Sequence, residues 1–394
     1  MNHVPLRDKA APLPADILGA PNADHGATVP DRALLRTRAV HRAISELKRG
    51  TPILLRGASP LVVVPAETAG AAGLDDMKAL SAGPALLLLA PFRASVALHR
   101  PISSTGPAAA ILLTDLLLDI TVLRGLADPT AEQLLPEAPV LVDPPPAAAA
   151  AVALVKLARL LPAAVVAPAH ADADSRATGL GLLSVDAADV AAHLAEIGHG
   201  LRRVAETAVP LDGAADARIV AFREPDSGIE HLAILIGRPE QTEAPLVRIH
   251  SECFTGDLLG SLRCDCGPQL KGAIQRMGEA GAGVLLYLAQ EGRGIGLVNK
   301  LRAYAMQDRG FDTLDANRAL GWGADERNFL VAATMLEALD VRRVRLLTNN
   351  PEKIAALAAL GIEVVNRESH AFAPNGVNNE YLATKAARFG HMFE

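Results

Sequence analysis

Residues 248–269 read RIHSECFTGDLLGSLRCDCGPQ and contain all three cysteines of this 394-residue chain, Cys253, Cys264 and Cys266. Three thiols cannot all pair in disulfides, and clustered thiols without partners are typical of a metal site. In the spacing C-x10-C-x-C, two ligands lie one residue apart and an intervening loop returns the third. Such an arrangement can converge on one soft ion, and thiolates favour zinc. The stretch therefore predicts a zinc-binding loop.

The number of cysteines bears on the kind of zinc site. Structural sites normally close with four protein ligands, whereas catalytic sites keep three and leave the fourth position to water. Three cysteines favour an open site, in which zinc lowers the pKa of its water to roughly 7. Two alternatives stay open: His250 could complete a closed structural site, or the cysteines could be core thiols.

The segments on either side of this loop predict a mixed sheet with covering helices. Residues 247–250 form a strand that leads into the loop, and residues 268–277 and 283–288 follow as a helix and a buried strand. Asn350 caps a further helix with Pro351 at its first position. The remaining predicted elements are a hairpin of strands 217–222 and 231–237, helices 295–308 and 325–339, and strands 343–348 and 362–365.

The first half of the chain predicts a second α/β unit. A helix begins at Asp31 and ends at Gly50, and apolar strands follow at 51–55, 61–64 and 85–89. We expect a flexible tail over 1–30, one domain over 31–205 and another over 210–394. The predicted fold class is α/β (α+β), with two domains that each hold a mixed sheet, the second carrying the zinc loop.

Composition and charge exclude several classes of protein. The net charge of −6 argues against a general nucleic-acid binder, which needs a basic surface. The first thirty residues have no sustained apolar run, so they do not form a signal peptide. The most apolar later stretch, 146–169, is interrupted by Lys156, Arg159 and Pro162 and predicts a buried helix followed by a strand. We therefore expect a cytoplasmic protein without a membrane span.

Two polar loops follow predicted strands and precede helices. They read QEGRGIG (290–296) and TNNPEK (348–353), and backbone N–H groups at such positions suit phosphate. Each could equally be a tight turn, since neither has the spacing of a dinucleotide or Walker A loop. Asp325 taken alone would most simply be a helix cap.

Eight blocks from about residue 247 onward resemble GTP cyclohydrolase II: HSECFTGD, SLRCDCGPQL, QEGRGIGL, NKLRAYAMQD, DTLDAN, ADERNF, RLLTNNPEK and YLATKAARFGH. The resemblance implies hydrolysis of GTP in riboflavin biosynthesis. The expected products are 2,5-diamino-6-(ribosylamino)-4(3H)-pyrimidinone 5′-phosphate, formate and pyrophosphate. It also implies one Zn²⁺ per subunit, Mg²⁺ on the GTP triphosphate, and a homodimer.

Residue roles follow from the same resemblance. Cys253, Cys264 and Cys266 would hold the zinc, whose hydroxide attacks C8 of guanine. Arg327 would attack the α-phosphate or stabilise its charge, with Asp325 as proton acceptor, and Tyr304 would orient water or substrate. Chemistry favours Arg and Lys for the phosphates, and Glu291 or Gln269 for the guanine edge. The GTP contacts would be Arg248, Ile249, His250, Ser251, Glu252, Gln269, Glu291, Gly292, Arg293, Thr313, Thr348 and Lys353.

The first half resembles 3,4-dihydroxy-2-butanone 4-phosphate synthase over residues 43–55 and 181–193. It departs from that family where catalysis requires carboxylates: the acidic loop is RGASPL (56–61), and a Gly-His-Thr-Glu segment is replaced by alanines near Pro146. The resemblance therefore implies an inactive scaffold domain. Three alternatives stay open: a bifunctional enzyme, a cyclohydrolase with a changed outcome, and a nucleotide-binding regulator whose zinc is structural.

Overall fold

Two seven-stranded sheets, each covered by helices, make up the computed structural model of the chain. The structure describes residues 31–102, 106–198, 200–224 and 227–392. The predicted tail over 1–30 and two residues of the predicted hairpin turn, Pro225 and Asp226, lie outside the described residues. No helix within the described ranges combines the length and apolar character needed to cross a bilayer.

The first sheet has the strand order β5-β4-β3-β6-β2-β1-β7. All its neighbouring strands run antiparallel except β1 and β7. The strands are β1 Ile53–Arg56, β2 Leu61–Pro65, β3 Leu86–Leu89, β4 Ala109–Leu112, β5 Val140–Val142, β6 Ala163–Pro168 and β7 Ser184–Asp186. The helices are α1 Arg32–Arg49, α2 Ala71–Leu80, α3 Pro91–Ala97, α4 Ile120–Ala127, α5 Ala148–Leu157, α6 Ala173–Gly179 and α7 Ala187–Glu196.

The ends of α1 confirm the sequence prediction. The Asp31 carboxylate accepts a hydrogen bond from the Ala33 N–H, as an N-cap does. Gly50 ends the helix at φ 77°, a left-handed conformation that glycine adopts without strain. The predicted buried helix and strand within 146–169 are also confirmed, as α5 and β6.

The second sheet has the strand order β14-β13-β11-β12-β10-β9-β8. Its strands are β8 Arg202–Ala208, β9 Arg218–Arg223, β10 Glu230–Gly237, β11 Leu246–Ser251, β12 Ala282–Leu288, β13 Arg343–Leu347 and β14 Glu363–Glu368. Its helices are α8 Cys266–Glu279, α9 Leu297–Gln307, α10 Thr313–Ala319, α11 Leu330–Ala338, α12 Pro351–Ala359 and α13 Asn379–Phe389. The second sheet already begins at β8, so the domain boundary that we predict at 205 falls within a strand.

Four adjacent strands of this sheet, β12, β11, β13 and β14, run parallel. The carboxyl ends of β11, β12 and β13 therefore meet at one edge, where open α/β sheets bind ligands. The zinc loop follows β11, QEGRGIG follows β12 and TNNPEK follows β13. The topology thus brings together three polar segments that are far apart in sequence.

The prediction of a helix over 325–339 is wrong at its start. The helix α11 begins only at Leu330, and Asp325, Glu326 and Arg327 lie in the preceding loop. Asp325 is not a helix cap: its Oδ1 accepts the backbone N–H of Arg327 at 3.0 Å and also the guanidinium Nε at 2.8 Å. These local hydrogen bonds compete with helix formation and keep the backbone in a turn.

Candidate active site

A pocket opens at the carboxyl edge of β11, β12 and β13. The space between its walls, open mouth included, is about 1070 Å³. Every site residue that we predict from the sequence lines it except Asp325, which lies behind Arg327. The edge of the sheet therefore brings together residues spread from 248 to 353.

The three cysteine thiols converge at one wall of this pocket. Their Sγ atoms all lie within 4.8 Å of one another, and those of Cys253 and Cys264 are 3.8 Å apart. Hydrogen bonds from the Cys264 and Cys266 thiols, joined by one from Lys300, lower the pKa of Cys253. The same crowding raises the pKa of Cys264 to about 11 and also raises that of Cys266. A cation bound between them would relieve this competition and hold all three as thiolates.

Gly256 explains how the loop approaches the thiols so closely. Residues Phe254–Leu258 form a short π-helical turn that wraps the cluster. The Gly256 N–H donates to Cys253 Sγ at 3.3 Å. A Cβ at this position would lie 2.7 Å from Cys264 Sγ and 3.0 Å from Cys253 Sγ, so any larger residue would displace the cluster. The donor set, spacing and cradle fit a zinc ion.

His250 lies outside the thiol cluster. Its Nε2 is 3.1 Å from each carboxylate oxygen of Asp257, and burial lowers its pKa. Asp257 also accepts the Tyr287 hydroxyl and the Cys253 backbone N–H, each at 3.0 Å. His250 thus helps to fix the first turn of the loop that carries Cys253. Among the described residues, the group that could hold a metal ion consists of the three cysteines without His250.

Lys300 is a functional candidate that sequence reasoning missed. Its Nζ donates to Cys253 Sγ at 3.0 Å and to Glu291 Oε1 at 2.9 Å, in a buried position on α9. Glu291 in turn accepts the Phe254 N–H at 2.7 Å. The ammonium therefore balances the charge of the Cys253 thiolate. Lys300 precedes Tyr304 by four residues, which places both side chains on one face of the helix. This spacing is the sequence signal that could have identified Lys300.

Four further cationic side chains form part of the pocket wall: Arg248, Arg293, Arg327 and Lys353. Burial lowers the pKa of Lys353, with Arg327 and Arg248 adding to the effect. Burial likewise lowers the pKa of Arg248 to about 10. A polyanionic ligand would relieve this mutual repulsion, because opposite charges favour the protonated forms.

Asp325 and Arg327 form a close pair beside this wall. The guanidinium Nε of Arg327 lies 2.8 and 3.0 Å from the two carboxylate oxygens. Although burial opposes ionisation, the hydrogen bonds of Arg327 keep the pKa of Asp325 below its usual value. Asp325 is therefore an anion that orients Arg327 towards the pocket.

The two residues that we predict for the guanine edge are already engaged. Glu291 contacts Lys300 and the backbone N–H groups of Phe254 and Gly292. Gln269 accepts from Arg248 and donates to Asp265 at 2.5 Å. Contact with a base would require some of these hydrogen bonds to be exchanged.

The C-terminal helix α13 supplies further pocket residues whose roles the sequence did not indicate. Tyr381 and Lys385 of this helix line the cavity, as does His391 just beyond its end. Lys385 Nζ donates to Asp265 Oδ1 at 2.6 Å, and Asp265 lies between two of the cysteines in sequence. The Arg293 guanidinium lies 4.1 Å from the Phe389 ring centroid. The helix therefore closes one side of the pocket.

Comparison with known proteins identifies the family. A protein from Azospirillum brasilense named GTP cyclohydrolase-2 is 49% identical over 365 residues, covering 90% of this chain and 94% of its own length. The chain belongs to the GTP cyclohydrolase II family. The sequence profile described as GTP cyclohydrolase II matches residues 202–369. The resemblance on which our enzyme prediction rests is thereby confirmed.

Shorter relatives match the second half alone. GTP cyclohydrolase-2 of Pasteurella multocida (strain Pm70) is 50% identical over 193 residues, 49% of this chain and 88% of its own length. The protein of the same name from Cronobacter sakazakii (strain ATCC BAA-894) is 52% identical over 192 residues and 97% of its length. The first half is therefore an addition that some members of the family share and others lack.

Solved structures add little about the first half. A two-domain 3,4-dihydroxy-2-butanone 4-phosphate synthase from A. baumannii aligns with 84% of this chain and 99% of its own, at 18% identity and a TM-score of 0.32. A TM-score this low carries no argument about fold or activity.

Proposed function

We propose that the chain is a zinc-dependent GTP cyclohydrolase II of riboflavin biosynthesis. It would hydrolyse GTP to 2,5-diamino-6-(ribosylamino)-4(3H)-pyrimidinone 5′-phosphate, formate and pyrophosphate. The observation that carries the proposal is one pocket lined both by a three-thiol cluster and by four cationic side chains. Membership of the family supplies the reaction for which this arrangement is suited.

The thiol cluster is the proposed zinc site. Cys253, Cys264 and Cys266 would hold one ion, which would supply a Lewis acid that activates water for attack at C8 of guanine. Lys300 keeps an ammonium against Cys253 and so offsets the negative charge of the three thiolates. Gly256 keeps the loop close to the sulfur atoms.

The cationic wall is the proposed triphosphate site. Arg248 and Lys353 are held by backbone carbonyls, with Arg248 Nη1 donating to Leu347 O at 3.0 Å and Lys353 Nζ to Ile249 O at 2.7 Å. Their positions are therefore set before the substrate arrives, which limits the reorganisation that phosphate binding requires. Mg²⁺ would accompany the triphosphate.

Arg327 and Asp325 are the proposed residues for pyrophosphate release. Asp325 orients the guanidinium and, as an anion, can accept a proton from it or from a group on the substrate. Arg327 would then act at the α-phosphate, either as nucleophile or by stabilising the charge of the leaving pyrophosphate. Tyr304, whose pKa burial raises, would keep its hydroxyl proton and orient water or substrate.

The division of labour between the halves is part of the proposal. Residues 210–394 would form the catalytic domain, and 31–205 a synthase-like domain without its own reaction. We place the protein in the cytoplasm, where its three free thiols would stay reduced.

We also propose a homodimer. Four apolar side chains around the zinc loop are exposed, namely Phe254, Leu258, Leu259 and Leu262. An apolar surface of this kind suits contact with a second copy. Sedimentation of the wild type against a Leu258→Lys variant tests this, and two monomeric samples would contradict it.

Product analysis tests the reaction. Zinc-loaded protein is incubated with GTP and Mg²⁺, and formate, pyrophosphate and the nucleotide product are quantified. Equal amounts of formate and pyrophosphate with the pyrimidinone are expected. Formate without pyrophosphate would indicate a changed outcome at Arg327. Neither product, despite bound zinc and GTP, would leave only a nucleotide-binding regulator.

A further inference from the structure

The two halves share one buried apolar cluster. It includes Leu87 and Val165 of the first sheet together with Ile295, Leu320 and Trp322, which flank the loops of the pocket. Trp322 is the single tryptophan of the chain and is 4% exposed. The first half therefore packs directly behind the segments that carry the proposed active site.

Lys156, near the end of α5, reaches the loop of Asp325 and Arg327. Its Nζ lies 2.5 Å from Glu326 Oε1 and 5.4 Å from the Trp322 ring centroid. The same Glu326 oxygen accepts the Gly323 N–H at 2.6 Å, which closes the loop on itself. Lys156 thus binds the side chain around which this loop is folded.

The loop of Glu326 is tied in turn to QEGRGIG. The Glu326 backbone N–H donates to the Arg293 carbonyl at 3.0 Å, and a Cβ on Gly294 would lie 2.6 Å from the Glu326 carbonyl oxygen. The contact of Lys156 therefore bears on two pocket loops that are hydrogen-bonded to each other.

Arg159 supports the second of these loops from the first half. It takes a left-handed φ of 58°, and its Nη2 donates to the Ala289 carbonyl at 2.7 Å. Its own carbonyl accepts Asn299 Nδ2 at 3.0 Å, and its side chain packs on Gly296. Arg159 therefore contacts both ends of the 289–296 segment.

We propose that Lys156 and Arg159 of the first half are positioning residues of the active site in the second half. They hold the loops 289–296 and 321–328 so that Arg293 and Arg327 face the substrate and Asp325 stays paired with Arg327. The inference rests on the proposed function and extends it, since it gives the first half a role in the rate of the reaction.

Other contacts between the halves provide a control. Arg309 donates to the Pro129 carbonyl at 2.7 Å at an exposed site beyond α9, and it touches neither pocket loop. An Arg309→Gln variant removes a cation and a contact between the halves without loosening these loops. It separates a positioning role from general attachment of the halves.

The experiment uses the full-length, zinc-loaded chain and compares Lys156→Met, Lys156→Arg, Arg159→Met and Arg309→Gln. For each variant, kcat and KM for GTP are measured by formate release, and Trp322 emission reports the interface independently of turnover. We expect Lys156→Met and Arg159→Met to lower kcat about 10- to 100-fold, because small misplacements of catalytic groups have effects of this size. KM should change less than kcat.

Recovery of activity provides the second readout. Lys156→Arg should retain most of the activity. Lys156→Glu should be the poorest variant, and combining it with Glu326→Lys should restore part of the rate. Arg309→Gln should match the wild type both in activity and in Trp322 emission. Lys156→Met, in contrast, should change the Trp322 emission.

Three outcomes would overturn the inference. An altered Trp322 emission with unchanged kcat in Lys156→Met would show a contact that is merely structural. An equal loss in Arg309→Gln would show general loosening of the interface. A wild type that binds GTP and zinc but releases no formate would remove the proposed function itself, which the first two outcomes leave intact.

Discussion

The two halves of the chain have sheets of the same size and differ in strand direction. In the first sheet neighbouring strands are antiparallel except for β1 and β7, so successive strand ends point to opposite edges. In the second sheet four adjacent strands run parallel, and three of their loops meet at one edge. Strand direction, more than strand number, therefore decides where polar loops can converge.

The interiors of the two halves also differ in how many polar or charged side chains they bury. Among the described residues, two buried polar or charged side chains lie in the first half, Arg93 and His193, against sixteen in the second. Burying such groups costs stability unless they are paired, so their concentration marks the half in which function opposes packing. Arg93 itself donates to two backbone carbonyls, of Leu126 and Gly125, and is accounted for by structure.

The largest expected effect follows from removing one thiol. We expect Cys264→Ser to lose bound zinc and to lower formate release by about a thousandfold or more, because an alkoxide ligand is not available at neutral pH. Zinc content by atomic absorption and formate release check this. Ser261→Ala, in the same loop, is the control and should keep both. A zinc-free Cys264→Ser with normal turnover would contradict the assignment of the chemistry to this half.

A smaller effect is expected at the phosphate side of the pocket. Arg327→Lys keeps the positive charge but loses the planar group that pairs with Asp325. We expect kcat to fall about 100-fold, comparable to the loss of one electrostatic contact in a transition state. Zinc content should stay at the wild-type level, which distinguishes this variant from the thiol variant. Unchanged turnover would exclude Arg327 from the reaction.

Alanine variants of two buried leucines allow the cores of the two halves to be compared directly. Leu88 on β3 and Leu288 at the end of β12 are both fully buried. Either change to alanine should lower the free energy of unfolding by about 2–5 kcal/mol. Leu88→Ala should leave kcat within about twofold, whereas Leu288→Ala should also lower kcat, since the Leu288 carbonyl accepts the N–H groups of Glu252 and Gln290. Urea unfolding and steady-state kinetics check both, and equal kinetic effects would remove the distinction.

The smallest difference between the halves is expected in how their stability depends on acidic pH. Burial lowers the pKa of His193 in the first half and of His231 in the second to about 4. Each stays neutral when folded, but takes a proton near pH 6.5 when unfolded. Stability should therefore fall as the pH is lowered from about 6.5 towards 4, by up to about 3 kcal/mol for each histidine.

Urea unfolding at a series of pH values checks this dependence. His193→Gln and His231→Gln should each flatten it by a similar amount, because burial acts alike in both halves. His231 Nδ1 accepts the Ala289 N–H at 3.1 Å, a bond that protonation would break. A steeper dependence in either variant would contradict the assignment.

Local pattern predicted much of this structure. Asp31 and Gly50 mark the ends of α1, and Asn350 with Pro351 marks the start of α12, because caps act within a few residues. The cysteine spacing identified the thiol cluster for the same reason. The start of α11 was predicted wrongly because Asp325 satisfies its hydrogen bonds with Arg327 instead of capping a helix.

Contacts between distant parts of the chain left no such pattern. Lys300 reaches Cys253 across 47 positions, and Lys156 reaches Glu326 across 170. Lys385 reaches Asp265 across 120 positions. These pairs form only because sheet order and helix packing bring the segments together. The sequence therefore predicts the ligands that lie close together in sequence, and the fold supplies the residues that position them.

The fate of the guanine C8 atom distinguishes ring opening from nucleotide binding without chemistry. GTP labelled with ¹³C at C8 is mixed with an excess of zinc-loaded protein in a single turnover and followed by NMR, with pyrophosphate measured in parallel. We expect the label to appear as formate, with one pyrophosphate for each formate. Label that remains in an intact guanine ring, with GTP and zinc bound, would contradict it.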